Sequence, residues 1–222
     1  MRTFCMKTAV AGLACSIALM LMVTRAMGQE SEWNTWTSVE LNKQIGKKLE
    51  IFVTPEIRFT DQFKVDEYFI ETGLEYDLWK FLSIGGSYRF LINERETKST
   101  EYFHRIAFDV KGKYEINRFN FQLRTRYTNY DEFGTDNTSN DRYLRYRLKV
   151  DYNISKSKFT PNIGVEFFRQ LEDKEFDKVR YIIGGDYKIN KHHKIGLDFL
   201  MQDYLNEDYM KNIVSLRYTI KF

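Results

Sequence analysis

The chain has 222 residues, 34 of them basic and 31 acidic, for a formal net charge of +3. Hydrophobic residues make up 43% and aromatics 16%, with only two prolines, a balance that favours strands over disorder. The charge excess lies entirely in the first 28 residues, where Arg2, Lys7 and Arg25 face no acidic residue. The remainder is balanced, 31 against 31, which excludes a nucleic-acid partner selected by bulk charge.

Those first residues read as a secretory leader. Arg2 and Lys7 form a basic start, Ala9 to Val23 is apolar apart from Ser16, and Ala26-Met27-Gly28 places small residues at positions −3 and −1 of a cut before Gln29. The apolar run is shorter than the about 20 residues of a spanning helix. A lipoprotein reading at Cys15 fits poorly, because the run continues past the cysteine. The expected organisation is therefore a removed signal peptide over 1–28 and one domain over 29–222. Both cysteines, Cys5 and Cys15, leave with the leader, so the mature chain carries no disulfide, thiolate nucleophile or cysteine-ligated metal.

From Trp36 onward the chain alternates. Eleven segments are expected as strands, near 36–45, 49–60, 66–78, 81–93, 101–116, 119–130, 142–154, 159–171, 178–190, 194–205 and 212–222. In the second, Leu49, Ile51, Val53, Pro55, Ile57 and Phe59 share one face, against Glu50, Thr54, Glu56 and Arg58; Phe52 is the exception. In the seventh, Leu144, Tyr146, Leu148 and Val150 oppose Arg145, Arg147, Lys149 and Asp151. The eleventh sets Val214, Leu216, Tyr218, Ile220 and Phe222 against Ser215, Arg217, Thr219 and Lys221. Side chains of period two separate in this way only on a strand.

A phrase, Tyr-x-(Ile/Leu), recurs at Tyr76, Tyr114, Tyr152, Tyr187 and Tyr218, at intervals of 38, 38, 35 and 31 residues. One hairpin of two strands fills such a period. Short connections near 46–48, 79–80, 117–118, 155–158 and 191–193 alternate with longer polar ones, including 131–141. This is the writing of an all-β, antiparallel, up-and-down transmembrane barrel of about 10–12 strands, with short periplasmic turns and longer extracellular loops. The five tyrosines and Phe222 then form an interfacial girdle at the periplasmic rim. An odd count conflicts with the even numbers of bacterial barrels. The first segment therefore lies outside the wall, or a strand is missing from the count, or Gln29–Thr35 supplies one. Gly85-Gly86 and Gly184-Gly185 predict a bend or a close approach, and Pro55 and Pro161 predict bulges nearby.

Several pieces in order strengthen this reading: Trp36-Thr37, Glu56-Ile57-Arg58-Phe59, Ser87-Tyr88-Arg89-Phe90, His104-Arg105, Leu123-Arg124-Thr125-Arg126-Tyr127 and the aromatic C-terminus. The mature chain resembles the domain of unknown function 2490 family of Gram-negative outer-membrane β-barrels. The resemblance implies an outer-membrane location and supplies no activity, ligand or site residue. The C-terminal strand ending in Phe222 also resembles the signal read by the barrel-assembly machinery.

Candidate functional residues lie on the inward phase. Arg58, Arg89, Arg105, Arg124, Arg126, Arg145, Arg147 and Arg180 carry the basic charge. Glu71 and Glu75 carry acidic charge, with Glu50, Glu56, Glu67 and Asp77 on the same early strands. Two interiors fit them: a narrow water-filled pore for small polar solutes, with these residues setting selectivity, or a closed interior cross-linked by arginine–carboxylate pairs. A closed barrel would act in envelope integrity or adhesion through its loops. A rim lipid hydrolase or acyltransferase would need His104 with Ser99 or Thr100, but no nucleophile framework accompanies them. His192 and His193 fall in a short turn, and the acidic 131–141 segment lacks the ligand spacing of a calcium loop. A soluble ligand-binding barrel is the rival at the level of fold. The reading is a monomer in outer-membrane lipid without catalytic residues, metal, cofactor or nucleic-acid partner.

Overall fold

The computed structural model describes residues 30–93, 100–132 and 142–222, with side chains left undescribed at 30 and 130–132. The expected leader, Ser99 of the Ser–His alternative, and most of the 131–141 loop lie outside the described residues. Eleven strands follow in chain order: β1 (Glu30–Ile45), β2 (Leu49–Phe59), β3 (Val65–Trp79), β4 (Leu82–Asn93), β5 (Glu101–Ile116), β6 (Phe119–Glu132), β7 (Tyr143–Tyr152), β8 (Phe159–Gln170), β9 (Phe176–Lys188), β10 (His193–Tyr204) and β11 (Tyr209–Lys221). They close into one barrel in which every sequence neighbour pairs antiparallel and β1 meets β11.

That last pair is parallel and answers the parity problem. It runs without a break from Glu30↔Tyr209 to Asn42↔Lys221. Among the described residues every strand belongs to the wall and their number is odd, and β1 begins at Glu30 rather than Trp36. The early start was hidden because Trp33 turns outward against Phe199 while Trp36 turns inward under Arg58, so the tryptophans do not form one row. Parallel ladders hold slightly less well per residue. On the inner side this seam is reinforced by Thr219 donating to Glu40 at 2.9 Å, by Tyr209 donating to Glu32, and by Arg217 and Lys211 beside Glu40 and Glu32 at 3.7 and 3.8 Å.

Turn chemistry sets the two rims. At one, Asn117 takes the left-handed conformation (φ 53°) in the two-residue connection of β5 to β6, and Gly46 (φ 64°) does so between β1 and β2. Asparagine and glycine are the residues that tolerate this geometry in tight hairpins. The longer connections gather at the opposite rim. There Arg142 Nε donates to Glu172 at 2.7 Å, and that bond holds the exposed Glu172 carboxyl below the usual carboxylate range.

The prolines do not create the expected bulges. Pairing of β1 with β2 passes from Ser38↔Glu56 to Leu41↔Val53 with its register intact, so Pro55 removes ladder bonds locally without shifting the strand. Pro161 sits beyond the last registered pair of β7 with β8, Asp151↔Asn162, where a missing N–H costs little. Register shifts fall instead at Arg58/Phe59, Asp77/Trp79 and Phe168/Arg169, each at a strand end.

The two faces of the wall differ sharply. Outward rows carry Leu123, Leu148, Ile163, Ile183, Leu197 and Leu216, with Ile183 60% exposed. Inward positions carry the charged and polar residues, many of them buried, including Glu71, Arg89, Asp109, Arg126, Glu166 and Asp198. The fold is thus an inside-out protein in chemical terms.

Candidate functional site

The lumen holds a cavity of about 1060 Å³. Its wall reaches Asn153, Ser157 and Lys158 at the short-turn rim and ends against Trp36, Arg58, Phe69, Phe168 and Arg180 deeper in the barrel. Beyond that layer the inner face is packed: Asn34, Leu91, Thr128 and Gln202 are all buried. The cavity is a vestibule reached from the short-turn rim, with a cationic and aromatic floor.

Two carboxylates organise the floor. Glu71 on β3 accepts from Arg89 Nε at 2.8 Å, Ser87 Oγ at 2.9 Å and Arg105 Nη2 at 3.3 Å. It also meets Arg126 Nη1 at 3.4 Å from β6, three strands further round, and so links separated parts of the wall. Arg126 grips Asp109 with Nε at 2.8 Å and Nη2 at 2.6 Å, a bidentate fork. Glu166 on β8, 1% exposed, accepts from Arg124 at 2.8 Å, Arg145 at 3.0 Å and Arg180 at 3.4 Å. These carboxylates are needed because register places arginines directly opposite one another: Arg126↔Arg145, Arg124↔Arg147 and Arg89↔Arg105. Like charges so placed repel unless something bridges them.

Aromatic rings complete the layer. Arg58 lies 3.9 Å from the Trp36 ring and 4.9 Å from Phe69, while Arg89 stacks on Phe69 at 3.5 Å. Arg145 and Arg180 cover Phe168 at 4.6 and 4.9 Å, and Arg180 reaches Trp36 at 5.2 Å. Guanidinium groups stack on ring faces in this way while their edges remain available to carboxylates.

Nearer the mouth the charges are matched locally. Lys111 donates to Glu75, which also accepts from Ser83 at 2.6 Å. Lys149 lies 3.2 Å from Asp151, and Lys194 lies 3.1 Å from Asp186. Arg217 Nη2 reaches Asp186 at 2.8 Å across the intervening β10, whose residue there is Gly196. A Cβ at Gly196 would sit 2.6 Å from both partners, so the bridge depends on its absence. Gly184 serves in the same way beneath the bond from Asn162 Nδ2 to Asp198 Oδ1, 3.1 Å long. The close approach expected of this glycine is of lumen side chains across a strand.

All ten inward candidates line this cavity. Their arrangement mixes the two signs: Glu166 and Asp109 are embedded among the later arginines, and Glu71 is enclosed by Arg89, Arg105 and Arg126. Sequence reasoning passed over Glu166, Asp109, Asp198 and Arg217 as site residues, although their inward phase was legible. The six rim aromatics lie at the short-turn end: Tyr152 packs on Phe119 at 4.9 Å, Tyr218 stacks on His193 at 5.8 Å, and Tyr76 sits 5.7 Å from the Lys48 ammonium. Tyr114, Tyr187 and Phe222 are exposed. His104 is turned to the outer face, edge-on to Tyr88 at 6.2 Å. His192 Nδ1 meets the Lys221 carbonyl at 2.8 Å. Among the described residues no group of histidine and carboxylate side chains could hold a metal ion.

A comparison with curated proteins found no match. The family model described as a protein of unknown function (DUF2490) matches residues 33–209, from Trp33 within β1 to Tyr209, the first residue of β11. The chain belongs to the DUF2490 family.

Proposed function

We propose that this chain is an integral barrel of a Gram-negative outer membrane, closed to through-passage at mid-height and acting as a structural element of the envelope. Apolar outward rows support the location: soluble monomers rarely expose contiguous apolar surface of this kind, and a lipid-spanning barrel requires it. The tyrosines at the short-turn rim suit a headgroup boundary. C-terminal strand β11, followed directly by Phe222, is the segment offered to the assembly machinery.

Closure rests on one observation: the Glu71–Arg126 contact from β3 to β6 and the stacking of Arg180 of β9 on Trp36 of β1 join strands separated around the wall, with Phe69 and Phe168 filling the spaces between them. The barrel reconstituted in planar bilayers is expected to be silent, and Arg126→Ala/Arg180→Ala, which removes both cross-links, to produce conductance steps. Steady steps from the unaltered chain would remove the closed reading. They would favour a narrow pore for small polar solutes, the reading for which the deep vestibule itself speaks.

A further inference from the structure

We infer that the vestibule floor is a binding site for a small water-soluble oxyanion bearing two or more negative charges. The inference deepens the closed-barrel reading and rests on it for entry from the short-turn mouth alone. Charge balance is the first argument. The floor carries eight arginines, at 58, 89, 105, 124, 126, 145, 147 and 180, against the five carboxylates of Glu56, Glu67, Glu71, Asp109 and Glu166. The mouth above it is neutralised by its own pairs, Lys111–Glu75, Lys149–Asp151 and Lys194–Asp186. The cationic excess is therefore confined to the closed end.

Arg147 supplies the second argument. It stands opposite Glu166 in the β7–β8 register and opposite Arg124 in the β6–β7 register, and it lines the cavity. Glu166 is already occupied by Arg124, Arg145 and Arg180, and Arg147 has no hydrogen bond or ion pair among the described residues. Two further donors on the same floor, Arg124 Nε and Arg145 Nε, are buried without a hydrogen-bond acceptor among the described residues, Asp109 Oδ1 standing 3.8 Å from the first. Unsatisfied donors on fixed guanidinium forks match the edges of phosphate or carboxylate oxygens. The backbone wall separates this floor from surrounding lipid, so the anion reaches it through water.

Isothermal titration of the detergent-solubilised barrel with inorganic pyrophosphate and with tricarballylate tests this, against sodium chloride at equal ionic strength. One saturable event is expected with at least one of the polyanions, the pair distinguishing phosphate from carboxylate chemistry. Arg147→Gln is expected to weaken it about tenfold, the loss of one charge-assisted bond, while Arg142→Gln at the opposite rim leaves it unchanged. Heats no larger than those of chloride overturn the inference, as does equal affinity in folded Arg147→Gln. If that variant does not refold, a missing saturable event in the unaltered chain overturns it alone. Binding is read in micelles without reference to conductance, so a leaky barrel that binds and a silent one that does not are told apart.

Discussion

Replacing Glu166 with alanine is expected to lower the unfolding free energy by about 3–5 kcal/mol, the cost of stripping buried ionic groups of their partner. The carboxylate is 1% exposed and sits among Arg124, Arg145 and Arg180, so its removal leaves three guanidinium groups facing each other without the carboxylate they share, Arg124 keeping Asp109 at 3.8 Å. Cross-strand repulsion between Arg126 and Arg145, and between Arg124 and Arg147, adds to the loss. Glu166→Gln keeps the volume and one acceptor and is expected to cost about 1–3 kcal/mol. Glu172→Ala is the contrast, since that carboxylate is exposed and bonded to the exposed Arg142 at the long-loop rim; a change within about 1 kcal/mol is expected there. Urea titrations in lipid vesicles, followed by tryptophan emission, measure all three. An unchanged midpoint for Glu166→Ala would show that the floor is not the fastening described here.

The second large effect concerns the outer face. Leu148 lies halfway along β7 and is 45% exposed on the outward side. Arginine at a lipid-facing position near the bilayer midplane costs about 2–4 kcal/mol, falling to about 0–1 near the interface. In water, a surface substitution of this kind usually changes stability by less than about 0.5 kcal/mol. Leu148→Arg is therefore expected to depress the vesicle folding equilibrium strongly, and Ile154→Arg, just past the short-turn end of β7, hardly at all. Flat results at both depths would contradict a membrane-spanning wall and favour a barrel surrounded by water.

How much of this was legible varied with the range of the interaction. β7 could be read almost to the residue because Leu144 to Val150 alternate without exception and both faces mean something. Glu30 to Thr35 was illegible for the opposite reason: it offers little apolar row, and its strand character comes from pairing with β11, some 179 residues away. Strand parity failed on the same ground, since each segment shows its own direction but not which strand it meets at closure. The inward arginines were visible through their phase. Their fastening was not, because Glu166 finds Arg145 and Arg124 at separations of 21 and 42 residues, and one carboxylate among many has no local mark. Gly196 likewise shows its purpose only once Asp186 and Arg217 stand on either side of it.

An odd number of crossings has a geometric result of its own. Glu30 enters the wall among the long loops, and Lys221 leaves it among the tight turns. The first and last residues of the wall therefore lie at opposite rims of the barrel. Sealing the cylinder requires the leading strand to be drawn through its full length beside the trailing one, head beside head, before the final ladder can engage.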